Sequence, residues 1–343
     1  MNMSAVVNYA RGEVALRTVE RPAIGVDDVL VAVQAVSVCG SDVHQWQGTH
    51  GWPVNYPVIL GHEFAGTVAA TGTHVTTFRE GDRVVSETAA VINPHSPMTR
   101  RGLYNLDVSR LGFGYGVDGA MAHFVRVPAR CLHRLPDGIG FTHAALTEPC
   151  CVAYNAAVHH STITLGSRVV ILGPGPIGIL CGVMAQLQGA TVAIVGLERD
   201  QVRLAIAEQY GLIPLVGDPT AWATASDGLG CDGVIDAAGV SQALETALRI
   251  VRPAGWITKV GWGSEPAGFS LDPLIQKGIT LRGSFSHNYP IWESVLSLLA
   301  SGSLSLEPLI GGIYSLEEWR SAFEAMHHGR IVKAVLRPLH NGT

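Results

Sequence analysis

Apolar and polar positions change rhythm near the middle of the chain. Up to about residue 150 the apolar runs are short and separated by turn residues. Val29–Val38 is an almost unbroken apolar, β-branched run, the pattern of a buried strand. Glu63–Val68 and Arg83–Ser86 predict shorter strands, punctuated by Gly66, Gly72 and Gly81, and Ala120–Val127 predicts another. Between them, Thr88–Gly116 is polar, carries Pro94, Pro97 and several glycines, and reads as a long excursion.

From about residue 165 the pattern alternates. A strand over Arg168–Leu172 leads through glycines into a helix that runs to about Gln188. Strands over Thr191–Val195, Gly233–Asp236 and Trp256–Val260 then alternate with helices over Gln201–Tyr210 and Ser241–Val251. That order implies parallel pairing in a doubly wound α/β sheet. A last helix is expected over Ile291–Ser301, followed by a mixed tail.

Composition narrows the class. A length of 343 residues suggests two domains. With 47% hydrophobic and 15% charged residues the chain can bury a large core, which excludes disorder. A net charge of −5 leaves no basic footprint for nucleic acid. The uncharged stretch Val169–Leu197 is long enough to span a bilayer. Gly173, Pro174, Gly175, Pro176 and Gly178 would break such a helix near its start, so no membrane span is expected. The N-terminus shows no secretory signal, and six cysteines without a C-x-x-C pair point to a reducing cytoplasm rather than a disulfide framework.

Two groups of residues carry chemistry. Gly173-x-Gly175-x-x-Gly178 follows a predicted strand and opens a predicted helix, the setting in which such glycines bind a dinucleotide. The first permits the tight turn, the second lets backbone approach a pyrophosphate, and the third lets helix pack on strand. Glu198 stands where an acid would bind a ribose 2′-OH, which favours NAD; Arg199 beside it could pair with a 2′-phosphate, leaving NADP as the alternative. The second group is spread over three segments: Cys39-Gly-Ser41-Asp42-Val-His44, Gly61-His62-Glu63 and Glu148-Pro149. Thiolate, imidazole and carboxylate are zinc ligands, and a catalytic site keeps one position open. Each residue alone reads as a buried cysteine or an unrelated acid; beside a dinucleotide turn, the metal reading is the stronger.

These stretches, with Gly81-Asp-Arg-Val84 and Asp118-Gly-Ala-Met-Ala122, run in order along nearly the whole chain. Together they resemble the medium-chain, zinc-dependent alcohol dehydrogenases of the sorbitol, threonine and butanediol dehydrogenase branch. The resemblance implies a GroES-like, β-rich catalytic domain over 1–155, a Rossmann domain over 156–287, a return to the catalytic domain over 288–343, and an active site in the cleft. It implies a catalytic zinc on Cys39, His62 and one or both of Glu63 and Glu148, unranked. It implies a proton relay through Ser41 and His44, with Asp42 orienting His62. Cofactor contacts are implied for Pro176, Ile177 and Arg203, and for Val260-Gly261-Trp262 and Ser284-Phe285-Ser286 on the nicotinamide side. The expected reaction oxidises a small alcohol, a polyol, sugar alcohol or diol, to a ketone in a homodimer or homotetramer.

The chain also departs from that pattern. Relatives often hold a structural zinc on four cysteines in the excursion, where this chain has Asn93, Ser96, Thr99 and Asp107. His95 and Asp107 make a poor structural site, so one zinc per chain is expected, with the excursion held by packing or a neighbouring subunit. Sorbitol dehydrogenases carry a tyrosine where Gln45 stands and an arginine where Ser286 stands, here followed by His287-Asn288. Sorbitol itself is therefore doubtful. Trp46, Trp52 and Tyr56 are candidates for a substrate pocket, with core packing the default. Two rivals are a zinc-free, NADPH-dependent quinone or enone reductase and a non-catalytic nucleotide-binding relative. Cys39 with His62-Glu63 opposes the first, and the intact relay residues oppose the second.

Overall fold

The computed structural model describes residues 2–263 and 265–338. They fall into two compact units: the chain up to Glu148 with the chain from His287 on, and Pro149–Ser286. The last five residues of the expected return segment lie outside the described residues.

Strands β1 (Asn2–Ala10), β2 (Glu13–Glu20), β3 (Asp28–Ser37), β4 (Val58–Ile59), β5 (Glu63–Thr71), β6 (Arg83–Ser86), β7 (Phe124–Pro128) and β8 (Leu132–Arg134) belong to the first unit. The second unit holds β9 (Arg168–Leu172), β10 (Thr191–Gly196), β11 (Ile213–Val216), β12 (Cys231–Asp236), β13 (Val251–Lys259) and β14 (Thr280–Gly283). The chain then returns to the first unit with β15 (Ile310–Ser315) and β16 (Lys333–Arg337).

In the first unit, β1 pairs with β2 and β4, and a larger sheet runs β15-β16-β3-β5-β6-β8 with β7 on β3. Its centre is β3, whose Val29, Val31, Val33 and Val36 are fully buried among Phe64, Val84, Val125 and Leu336. Register here positions the chemistry. Antiparallel pairing sets Ser37 opposite Glu63 and Val36 opposite Phe64. Cys39 and His62 therefore leave neighbouring strand ends side by side. On the other flank Val335 lies opposite Ser37, which carries Lys333 to the same end of β3. The expected strand from Ala120 begins only at Phe124, because the Gly119, Ala120 and Met121 amides bond to Ile59, Gly61 and Leu60 carbonyls instead.

The second unit is a six-stranded, wholly parallel sheet in the order β11-β10-β9-β12-β13-β14. Order reverses beside β9, and the crevice at the carboxyl end of such a switch is where dinucleotides bind. The uncharged stretch from Val169 resolves into β9, the helix Pro176–Leu187 and β10. Among the described residues no helix is long and apolar enough to cross a membrane.

Candidate functional site

Cys39 sits at the N-terminal cap of a short helix, Gly40–Trp46, that carries Ser41, Asp42 and His44. Asp42 is fully buried, and its two oxygens tie the two halves of the site together. Oδ2 accepts the Cys39 amide at 2.9 Å, and Oδ1 accepts the Gly61 amide at 3.3 Å. Oδ1 also lies 3.7 Å from His62 Nδ1, which has no hydrogen-bond partner despite its burial. The Asp42–His62 contact is thus one of charge. On the other side of the ring, Ser41 Oγ stands 3.5 Å from His62 Nε2. His44 is exposed, with Nδ1 2.9 Å from Thr49 Oγ1.

Cys39, His62 and Glu63 bring one ligand atom each within 4.8 Å of one another, the only such trio found among the described residues. Ligands around a tetrahedral zinc, bonded at about 2.0–2.3 Å, stand roughly 3.5 Å apart, so this donor set fits the metal after a small contraction. The electrostatics fit as well. Burial alone would lower the His62 pKa, but Asp42, Cys39 and Glu148 together hold it well above the usual value. The anionic pocket thus draws a proton onto the ring, in the place a cation would fill.

The two candidate carboxylates have different partners. Glu63 is buried and bonded to the equally buried Lys333 at 2.5 Å. Burial pushes the Glu63 pKa up, Lys333 opposes this, and Glu148 adds to it. Lys333 Nζ also donates to the Val38 carbonyl at 2.7 Å, directly beside Cys39. Glu148, near the start of the helix Thr147–Tyr154, accepts from His287 Nε2 at 3.0 Å. Burial would raise its pKa, yet His287 and His62 hold it below the ordinary value. Lys333 and His287 carry no local sequence signal for this role; only strand pairing and the turn after Ser286 deliver them.

Gln45 is turned into the core, accepting from Asn8 Nδ2 at 3.2 Å and donating to the Gly114 carbonyl at 3.1 Å. Trp46 packs edge-on against Phe323. Trp52 and Tyr56, with Arg11 and His50, line an open cavity of about 330 Å³.

In the second unit the glycine turn joins β9 to the helix Pro176–Leu187, with Gly175 at its cap and Pro176 and Ile177 in its first turn. Gly173 has φ of 100°, and a Cβ on Gly178 would lie 1.9 Å from the Gly173 carbonyl oxygen. A Cβ on Gly175 would meet only open space, which leaves room for a phosphate at the free amides of the helix start. Glu198 and Arg199 are exposed just past β10, and Arg203 lies 3.6 Å from Asp200. Val260-Gly261-Trp262 and Ser284-Phe285-Ser286 follow the adjacent strands β13 and β14, with the Trp262 and Phe285 rings stacked at 5.5 Å.

Known proteins resemble the chain over nearly its whole length. Residues 25–137 match the family "alcohol dehydrogenase GroES-like domain" and residues 176–301 the family "zinc-binding dehydrogenase". A sorbitol dehydrogenase of Halalkalibacterium halodurans is 35% identical, over 98% of this chain and 100% of its own. A D-arabitol-phosphate dehydrogenase of Enterococcus avium is 33% identical over 90% of both chains. A zinc-binding dehydrogenase of Sinorhizobium meliloti, solved with NADP, superposes with a TM-score of 0.90 at 28% identity, over 98% of this chain and 100% of that one.

Proposed function

We propose a reaction that proceeds from one premise: the chain belongs to the zinc-dependent medium-chain dehydrogenases, in their polyol branch. It is an alcohol dehydrogenase that uses zinc and a nicotinamide cofactor. Its substrate is a secondary alcohol of a polyol, sugar alcohol or diol, and its product the ketone. The observation that carries this reading is the convergence of Cys39, His62 and Glu63 within 4.8 Å, with Ser41 3.5 Å from the His62 ring.

Cys39, His62 and Glu63 would hold the ion, with Glu148 as a further or exchanging carboxylate. Bound there, zinc supplies the Lewis acidity that brings a hydroxyl pKa toward neutrality, as it brings that of water to about 7, while the nicotinamide accepts the hydride. Ser41 Oγ accepts the hydroxyl proton as its own proton passes on to His44, or to cofactor hydroxyls and solvent. His44, at the solvent side of the same helix, passes it out. Asp42 fixes the backbone of Cys39 and Gly61 and sets a negative charge beside His62. Lys333 donates to Glu63, holds it in place and opposes the push of burial toward its neutral form.

Gly173, Gly175 and Gly178 cradle the pyrophosphate, and Pro176, Ile177 and Arg203 flank it. Val260, Gly261, Trp262, Ser284, Phe285 and Ser286 border the nicotinamide. Glu198 selects NAD over NADP through the ribose hydroxyls, against the pull of Arg199. A homodimer or homotetramer in a reducing cytoplasm fits the six cysteines and the exposed edge strand β14. The test is a panel of polyols and diols with NAD and NADP, read by reduced-cofactor absorbance, for the native chain and Cys39→Ser. Turnover that is lost in Cys39→Ser is the expected result. Equal turnover by the variant, or by metal-free protein, would overturn the reading.

A further inference from the structure

The turn after β14 carries Ser286 with φ of 55°, in the left-handed region that few residues other than glycine adopt. Strain of this kind persists where surrounding structure demands it. The next residue, His287, is buried and has both ring nitrogens engaged. Trp292 Nε1–H donates to His287 Nδ1 at 2.8 Å. An indole N–H is a donor only, so Nδ1 is the acceptor and the ring proton resides on Nε2. That Nε2–H faces Glu148 Oε1 at 3.0 Å.

Trp292 is itself immobilised. Its ring is fully buried and stacks on His133 at 5.4 Å, with the planes 11° apart. His133 is clamped between Glu293 at 2.5 Å and Glu87 at 3.3 Å. Tyr104 donates to Glu87 and accepts the Tyr289 amide at 2.6 Å. Asn288 Nδ2 donates to the Gly102 carbonyl at 3.0 Å. The excursion that lacks the four cysteines is thus moored on the segment that presents His287.

We propose that His287 is a positioning residue for the metal centre: held in one tautomer by Trp292, it fixes the Glu148 carboxylate and leaves the second oxygen to the zinc or to a water on it. This rests on the zinc reading above. A hydrogen bond to a carboxylate of a metal site fixes its direction, and losing such a partner costs about 10–100-fold in metal affinity or activity.

The test is zinc affinity of the full-length enzyme, by competition with a chromophoric chelator, for the native chain, His287→Phe, His287→Gln and Trp292→Phe. His287→Phe keeps a planar ring and removes both nitrogens; its zinc affinity falls about 10–100-fold. His287→Gln, which restores an N–H donor, recovers part of the loss. Trp292→Phe keeps the ring on His133 but frees the tautomer, and weakens zinc binding in the same direction. In all three, kcat falls while the KM for the dinucleotide stays at the native value, a split that general loosening of the fold would not give. Should His287→Phe fail to fold, Trp292→Phe decides alone. Native zinc affinity in the folded variants overturns the proposal while leaving the zinc reading intact. A native enzyme that binds no zinc defeats the zinc reading and this proposal with it.

Discussion

Lys333→Met replaces a buried ammonium by a side chain of similar length and no charge. In the native chain Lys333 and Glu63 are 2% and 1% exposed and 2.5 Å apart. At an effective dielectric of about 20, that separation corresponds to about 6–7 kcal/mol of gross attraction. Desolvation of both ions offsets part of it, and breaking such a buried pair by removing one partner costs about 3–5 kcal/mol. The variant also leaves the Val38 carbonyl without its 2.7 Å donor, at the residue before Cys39. Urea unfolding of metal-free protein should show the full loss, roughly 6–20 °C when read as Tm for a unit of this size. Zinc-loaded protein should lose less, because the ion supplies Glu63 with a new counter-charge. Removing both charges, with Glu63→Gln added to Lys333→Met, should recover most of the stability, since no unpaired charge is left. A loss below about 1 kcal/mol in Lys333→Met, or no recovery in the double variant, would refute the reasoning.

Gly178→Ala places a methyl 1.9 Å from the Gly173 carbonyl oxygen, so the turn must shift; overpacking of this kind costs about 1–3 kcal/mol, and if that falls on the bound state, NADH affinity by fluorescence titration should drop about fivefold to a hundredfold. Glu198→Ala removes the acid past β10 and should narrow the NAD-over-NADP ratio of kcat/KM by about tenfold to a hundredfold, the worth of one hydrogen bond to a charged group; an unchanged ratio would remove Glu198 from the ribose site. Asp82 is held below its ordinary pKa of 3.8 by the Arg79 amide and by Arg134. A folded pKa below the unfolded one contributes stability above pH 3.8 that is lost as pH falls through the folded value. Asp82→Asn should therefore be the less stable protein at neutral pH, with the gap in urea midpoints closing in acid.

Local signals were readable where backbone demands are severe. The strand, glycine turn and helix around Gly173–Gly178 follow from steric necessity, and the structure places them as β9, the turn and Pro176–Leu187. The apolar run from Val29 to Val38 likewise became the buried strand β3. Pairing was not readable. Nothing near Lys333 distinguishes it from other tail charges; it joins Glu63 only because β16 lies antiparallel beside β3. The N-terminal hairpin of β1 and β2 has a weak local signal, a single Gly12, with φ of 80°, between two runs of mixed apolar and polar residues. The excursion hid the helix Pro97–Arg100, whose Ser96 cap and leading proline are a start signal too short to register as periodicity. Trp292 falls inside the apolar helix expected over Ile291–Ser301, and its polar N–H, which selects the His287 tautomer, has meaning only across the turn.

X-ray absorption at the zinc edge, with zinc counted per chain, tests the central claim most directly. One zinc per chain is expected, bound by one sulfur at about 2.3 Å and otherwise by nitrogen and oxygen at about 2.0–2.2 Å, with no tightly bound zinc in folded Cys39→Ser. A zinc with four sulfur neighbours, no zinc at all, or a spectrum unchanged by Cys39→Ser would contradict it.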